Sequence, residues 1–374
     1  MKIGVDARLF KNPRPSGMVR YMANLVEELL KINSEHEFVF FEDARYEYFN
    51  YVKQSSRVTH NKFSMKGDRF FLWEQVKLPM EIRKSGVDIF HSPGNTQPLI
   101  QPCSLVVTLH DTLLMDSAED ETPNFLFYTR HILPIGLKRC KKIITVSENS
   151  KKDIMRKFRV PDEKIEVIYH GIDPFFRRID YTLTANEIKT RLGIRGKFFF
   201  TIGSLGPRKN TQRVIETFSL LKKEKNIEHQ LIIGGLKDGA ESIFRKQIEA
   251  KGLDKDIILI SYISNTDLLF LYNNADIFYY ISLYEGFGFP ALEAMACGCP
   301  LIASNISSLP ELVADSRILV DPIDINDIFD KSWLILSNRI FKEQIVEKGL
   351  RRVKQFTWRS TAEHTLKVYE SVVH

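Results

Sequence analysis

The chain holds 374 residues, more than one ordinary hydrophobic core accommodates and enough for two. With 44% hydrophobic and 27% charged residues and no Gly/Ser, Gln/Asn or Pro-rich tract, its composition excludes wholesale disorder. A net charge of +6, with lysines alternating with glutamates and no sustained basic stripe, argues against nucleic acid as a partner and favours an anionic small molecule or an anionic membrane surface.

Met1 to Asp6 lacks the charged, apolar and small-residue regions of a secretory signal, and no apolar run reaches the length of a membrane span. The expected location is the cytoplasm, with any membrane contact peripheral and on the inner face. Cys103, Cys140, Cys297 and Cys299 form no disulfide framework, and the Cys297/Cys299 pair has no second ligand pair nearby, so no structural metal is expected.

Apolar runs recur at Ile3–Ala7, Phe38–Phe41, Val87–Phe90, Leu105–Leu109, Ile143–Val146 and Ile165–Tyr169. Runs that are apolar throughout, without alternation, fit strands of a parallel sheet covered on both faces. Between the first two, Met22, Leu25, Val26, Leu29 and Leu30 repeat at the spacing of one buried helix face, which reads as a crossover helix. A polar stretch from His170 to about Arg191 follows, with Asp173-Pro174 and few apolar repeats, and residues 172–192 are the expected linker. A second series then begins: Phe198–Ile202, Leu231–Gly234, Ile257–Ile260, Ile277–Ile281, Pro300–Ala303 and Ile318–Val320, with helical patterns between and from about Ile340 onward. The expected architecture is α/β: two Rossmann-like, doubly wound parallel-sheet domains at 1–171 and 193–356. Ligands bind at the strand carboxyl ends of such sheets, so a site in a crevice between the domains is expected.

Three strand-end loops carry candidate chemistry. Gly17 follows Lys11 to Ser16 at the start of the first helix, where backbone N–H groups and the helix dipole favour an anion; taken alone the residue reads first as a plain turn glycine, because no G-x-G-x-x-G spacing is present. Gly203-Ser204-Leu205-Gly206-Pro207-Arg208-Lys209-Asn210 places a planar fork of donors beside a compact charge, a pair suited to a diphosphate, the alternative being a solvated turn. The sharpest is Ser282 to Ala294: Gly286-Phe287-Gly288 makes a loop, Pro290 suits a first helical turn, and Glu285 and Glu293 offer carboxylates that accept hydrogen bonds from hydroxyl groups. Helix-start charge alone accounts for Glu293 but leaves the two glycines unexplained. Asp254 and Asp256 sit in a turn before a strand and read as structural, not as a metal clamp.

The segment Tyr284 to Ser304, with Glu285 and Glu293 as an E-x7-E pair, resembles glycosyltransferase family 4, whose members have the GT-B arrangement of two Rossmann-like domains. Asn305 to Glu311, Ser16 to Tyr21, His110-Asp111, Thr145 to Ser147, Arg208 to Asn210 and Phe356 to Trp358 agree in the family's order, so the resemblance spans essentially the whole chain. It implies a retaining, metal-independent hexosyltransferase with no cofactor beyond its nucleotide-sugar donor. Glu293 would hold the donor ribose, Arg208 and Lys209 the diphosphate, and Gly17 the phosphates from the other domain. Glu285 with Gly286, Phe287 and Gly288 would hold the sugar, and Tyr262 and Ile263 the base. His110 would meet the sugar near the reacting carbon, with Asp111, Ser147, Gly203 and Ser204 completing the matched substrate-binding positions. The C-terminal helix, about 357–374, would cross back to the first domain. Val19, Ile281 and His170 depart from the usual glycine, proline and asparagine, and the first departure weakens the case for Gly17 as a phosphate contact.

Met1–Phe10, His91–Asn95 and Thr108–Asp111 look most like the bacterial mannosyl- and rhamnosyltransferases of surface polysaccharide, which implies GDP-mannose as donor, with UDP- and TDP-sugars as alternatives, and a glycan or polyprenyl-linked glycan as acceptor. Phe70, Phe71, Leu72 and Trp73 among Lys66, Arg69, Lys77 and Arg83, and the basic run Lys138–Arg159, read either as an interface with an anionic bilayer or as core helices with solvated basic faces. Two other readings compete. A nicotinamide-dependent dehydrogenase lacks its dinucleotide fingerprint here, whereas a catalytically silent nucleotide-sugar-binding partner subunit would keep the same motifs.

Overall fold

The computed structural model describes residues 1–12, 17–32, 35–67, 69–113, 122–181, 184–236 and 239–373. The chain divides into two compact units, Met1–Gly171 with Phe356–His374, and Ile172–Gln355. Residues 13–16, which include Ser16 and most of the loop before the first helix, lie outside the described residues.

The first unit is built on seven parallel strands: β1 (Lys2–Asp6), β2 (Glu37–Asp43), β3 (Val58–Phe63), β4 (Ile89–Ser92), β5 (Ser104–Thr108), β6 (Lys142–Thr145) and β7 (Ile165–Val167), in the order β3-β2-β1-β4-β5-β6-β7. Register pairs Ile3 with Phe38 on one side and with Ile89 on the other. The central strands are buried along nearly their whole length, as apolar strands with covered faces should be. The helix Gly17–Ile32 turns Val19, Tyr21, Met22, Leu25, Val26 and Leu29 inward and packs against the C-terminal helix Trp358–Glu370, which Thr357 caps by accepting the Ser360 N–H.

On the other sheet face a helix wound more widely than an α-helix, Arg69–Lys77, runs into the α-helix Leu78–Ser85. Phe70 and Trp73 are buried in the core, Trp73 stacked on Phe63 at 4.7 Å between ring centroids, so neither is an outward anchor as the membrane reading would have them. Their apolar area is satisfied by the core. Leu72, Val76 and Met80 remain exposed.

The second unit has six parallel strands, β8 (Phe198–Ile202), β9 (Gln230–Gly234), β10 (Ile257–Ile260), β11 (Ile277–Tyr280), β12 (Leu301–Ser304) and β13 (Leu319–Val320), ordered β10-β9-β8-β11-β12-β13. Residues 172–192, expected as a linker, belong to this unit. Phe176 is buried, Tyr181 packs its ring edge-on to Phe270, the Ile179 N–H donates to Asn273 Oδ1 at 2.8 Å, and Ala185–Leu192 is a helix anchored by Arg191 to Asp267. A few well-placed contacts hold a stretch whose low apolar content suggested none.

Candidate active site

In the second unit the chain leaves β8 outward through β9 and β10, then returns to place β11 on the other side of β8. The loops after β8 and β11 therefore diverge above one point of the sheet, which is where such folds open a ligand crevice. Arg208 and Lys209 come from the first loop and Glu285 from the second. They meet: Arg208 Nη1 lies 2.9 Å and Lys209 Nζ 2.7 Å from the same oxygen, Glu285 Oε1. The loops are also tied by backbone, since the Leu283 N–H donates to the Arg208 C=O at 2.7 Å and Arg208 Nη1 to the Tyr284 C=O at 3.3 Å.

Lys209 also lies over the Tyr280 ring, 4.8 Å from its centroid. Burial drives the Lys209 ammonium below its ordinary value, because removing water disfavours the charged form, while Glu285 pulls the other way. For Glu285, burial alone would raise the carboxyl; Lys209 and then Arg208 outweigh it and hold the group below the usual carboxylate range. The result is an ionised cluster of two cations and one carboxylate, half enclosed by protein.

Local backbone chemistry fixes it. Gly288 has φ of +128°, a value side chains resist, and a Cβ there would come within 2.9 Å of Leu309. At Gly203 a Cβ would meet Ile233 at 2.4 Å, so the β8 loop lies directly on its neighbouring strand. The Ser204 N–H donates to Thr211 Oγ1 at 3.0 Å and Ser204 Oγ accepts the Gly206 N–H at 3.2 Å. Ser307 Oγ accepts the Glu285 N–H at 2.8 Å and donates to the Glu285 C=O at 2.6 Å, while the Ser308 hydroxyl lies between the C=O groups of Glu285 and Phe287. These two serines, on the loop after β12, clamp the Glu285 loop at both ends. Sequence reasoning assigned them no site role. Asn210, with φ of +55°, reaches the C=O groups of Ile281 and Pro322.

Other expected residues fall around the same strand ends. Phe287 is buried and packs edge-on to Phe289 at 5.2 Å, which leaves the loop's backbone as its polar surface. Glu293 lies inside the helix Phe289–Ala296, buried, and accepts the Tyr272 hydroxyl at 3.2 Å. Tyr262 is 70% exposed beyond the end of β10, and Ile263 lies over Gly234. Gly286 is partly buried within the Glu285 loop.

The remaining expected residues belong to the first unit. Gly17 is the exposed first residue of its helix and Val19 is fully buried, which accounts for an apolar residue at that position. His110 follows β5 and is held on three sides: its N–H donates to Asn95 Oδ1 at 2.8 Å, its C=O accepts Ser150 Oγ at 3.1 Å, and Nε2 donates to the Pro93 C=O at 2.9 Å. That last bond puts the proton on Nε2 and makes Nδ1 the acceptor. Burial lowers the His110 pKa to about 4, so the ring is neutral near pH 7. Asp111 Oδ1 accepts the Leu113 N–H at 2.9 Å. Ser147 is fully buried and caps the helix Glu148–Phe158, accepting the Ser150 N–H, so its hydroxyl serves the segment that holds His110.

Among the described residues no group of His, Cys, Asp or Glu is arranged to hold a metal ion, and no helix is long and apolar enough to cross a membrane.

A family model described as Glycosyltransferase Family 4 matches residues 15–175, and one described as Glycosyl transferases group 1 matches residues 185–352. The chain belongs to this glycosyltransferase family. It is an enzyme of a retaining family that works without metal, and its fold is GT-B. The transferase is 28% identical to O-antigen chain mannosyltransferase B of Escherichia coli, over 99% of this chain and 100% of that one. It is also 28% identical to a serotype-specific mannosyltransferase of Escherichia coli over 70% of this chain, a match that spans 32% of that longer protein. Among solved structures, Anabaena HepE in complex with UDP and glucose superimposes with a TM-score of 0.74 over 99% of this chain and 100% of that one, at 16% identity, a likeness of fold. Membership carries with it a nucleotide-sugar donor.

Proposed function

We propose that this transferase moves mannose from GDP-mannose, with retention of configuration, to a glycan or polyprenyl-linked glycan acceptor during synthesis of a cell-surface polysaccharide. The observation that carries the reading is the Arg208, Lys209 and Glu285 cluster at the β8/β11 switch point. Breaking the bond between the anomeric carbon and the diphosphate builds negative charge on the leaving group. A guanidinium and a largely buried ammonium already fixed at that point supply a charge complement without reorganisation, each charge-assisted hydrogen bond contributing about 1.5–3 kcal/mol. The mannose assignment is supported by the Escherichia coli mannosyltransferases that resemble the chain, whereas the structure solved with UDP keeps a uridine donor as the competing choice.

In this reading Glu285 and the backbone of Gly286 to Gly288 hold the sugar, Glu293 the ribose, and Tyr262 and Ile263 the base, with Gly203 and Ser204 shaping the diphosphate loop. Gly17 contributes helix-start N–H groups to the phosphates. His110, neutral and with Nδ1 as acceptor, takes a hydrogen bond from a sugar hydroxyl and is no proton donor near pH 7. Asp111 and Ser147 support it.

The test is thermal stabilisation by nucleotides and nucleotide sugars with and without a chelator, because a ligand bound only by the folded state raises Tm. A selective rise with GDP and GDP-mannose that survives chelation is expected. A rise confined to UDP or TDP compounds would replace the donor, and no rise with any of them would overturn the assigned diphosphate site.

A second reading concerns location. Leu72, Val76 and Met80 recur four residues apart and are 41%, 44% and 50% exposed, and the exposed Phe127 packs on the neighbouring Phe71. An apolar strip of this kind next to Lys77, Arg83 and Lys84 fits peripheral contact with an anionic bilayer carrying the acceptor.

A further inference from the structure

Neighbouring parallel strands are usually joined by a helix that covers the sheet between them. The connection from β2 to β3, residues 44–57, contains none and runs as turns and irregular chain. The sheet face that a crossover helix would cover opens instead into a cavity of about 750 Å³, within the roughly 300–1,000 Å³ span of small-molecule sites.

Register sets Phe40 beside His60 and Glu42 beside Lys62, so alternate residues of the two strands present one face to this space. Across from them Phe10, Phe49 and Tyr51 form an aromatic wall: Phe10 lies 5.8 Å from Phe40 and 5.6 Å from Tyr51, and Phe49 lies 6.2 Å from Tyr51. Glu42 is 2% exposed. Its Oε1 takes His60 Nδ1 at 2.7 Å, whereas Oε2 has Lys62 Nζ at 3.4 Å as an ion partner and receives no hydrogen bond. The Lys62 side chain is 58% exposed and its ion pair with Oε2 is long, so a ligand hydroxyl that displaces it supplies the hydrogen bond that Oε2 lacks.

Apolar ring faces opposite a hydrogen-bond acceptor match a neutral sugar, whose C–H faces are apolar and whose hydroxyls donate. Lys62 offsets the Glu42 charge and Lys53 also lines the space, so a hydroxyl-rich ligand needs no charge of its own there. We propose that this cavity is a distal subsite for the acceptor glycan, holding neutral hexose units away from the reacting end; the proposal rests on the acceptor being a glycan. Phe10 belongs to the single turn Arg8–Lys11, whose Leu9 and Lys11 line a second cavity of about 260 Å³ with Asn95 and Thr96, at the carboxyl ends of β1 and β4. Tyr51 donates its hydroxyl to the Asn12 C=O and the Phe49 N–H donates to the Phe10 C=O, so one turn is the wall common to both cavities.

The experiment uses the full chain and neutral α-mannose oligosaccharides of two to six residues, followed by calorimetry without donor and by transfer assays with donor. Phe49→Ala and Glu42→Gln are expected to weaken binding of the hexasaccharide about tenfold and to raise its KM as acceptor similarly. The KM of the disaccharide and the affinity for nucleotide are expected to stay within twofold. Phe49 is 42% exposed at the rim, so its variant keeps the fold, and an unchanged Tm checks this. Hexasaccharide affinity and KM equal in the variants and the unaltered enzyme would overturn the subsite alone. If no oligosaccharide binds or accepts sugar with the unaltered enzyme, the glycan-acceptor reading falls with it.

Discussion

Acidification should weaken the first unit well above the pH at which its carboxylates titrate. Under the helix Gly17–Ile32 lie three buried histidines, His91, His110 and His170, around Tyr21, whose ring centroid is 5.0 Å from His110 and 4.6 Å from His170. Burial lowers His91 to about 3 and His110 to about 4 and holds His170 well below its ordinary value; the charge His110 would carry adds to the effect on the other two. Tyr21 and Tyr369, which face them, are themselves kept neutral by burial and offer no compensating charge.

A base whose folded pKa lies below its unfolded value near 6.5 takes up its proton only when the chain unfolds. Stability is therefore full above about pH 6.5 and falls as pH drops toward the folded values. At pH 5.5 each such histidine costs about 1.4 kcal/mol, and the three together roughly 2–4 kcal/mol once their mutual coupling is allowed for. For a unit of this size that is a fall in Tm of about 5–15 °C between pH 7 and 5.5. The assay is thermal unfolding across that range, with His91→Gln as control. His91 bonds Thr108 Oγ1 at 2.7 Å and the Tyr369 hydroxyl at 2.6 Å, both of which an amide can replace, so the variant should fold and show about a third less pH dependence. A Tm that stays level from pH 7 to 5.5, or an identical profile in the variant, would refute the reasoning.

Replacing Glu285 with Ala should lower transfer at least a hundredfold while nucleotide-diphosphate affinity stays level or tightens, because the carboxylate neutralises Arg208 and Lys209; equal losses in kcat and in nucleotide binding would contradict a role at the sugar. Arg208→Gln should weaken GDP by about tenfold to a hundredfold and leave guanosine unchanged, as calorimetry can check, since only the diphosphate uses a charge-assisted bond. In flotation with anionic liposomes, the unaltered chain should rise at low salt and a Leu72→Ser, Met80→Ser double variant should stay down; failure of the unaltered chain to float ends the membrane reading.

The two-sheet architecture was legible because its central strands are continuous apolar runs, which few other structures tolerate. β3 was not, for a physical reason: it is an edge strand reading Val58-Thr-His-Asn-Lys-Phe63, with only its terminal residues apolar and its middle exposed. The open crossover before it was invisible too, since a missing helix leaves no periodicity to find. Glu285, Arg208 and Lys209 were identified by motif, and the structure brings both cations within 3 Å of the Glu285 carboxylate. Ser307 and Ser308 were passed over because a serine's signal is its hydrogen-bond partner, 22 or 23 residues away here. Phe70 and Trp73 misled because an aromatic beside cations looks the same whether the cations snorkel from a core helix or flank a membrane anchor.

The clamp has a further consequence for the ionised cluster. Arg208 and Lys209 are adjacent in sequence, and two like charges brought to one partly dehydrated place repel by several kcal/mol at an effective dielectric near 20. A single carboxylate oxygen shared between them offsets that repulsion only if it stays within hydrogen-bond reach of both, and Glu285 is on a loop containing two glycines, which alone would wander. Ser307 fixes both the N–H and the C=O of Glu285, so the backbone that carries the carboxylate is set independently of the cations it serves. If the site binds a diphosphate as proposed, this backbone clamp keeps the Glu285 loop in place when an anion takes over one of those cations, so the site need not be rebuilt around its ligand.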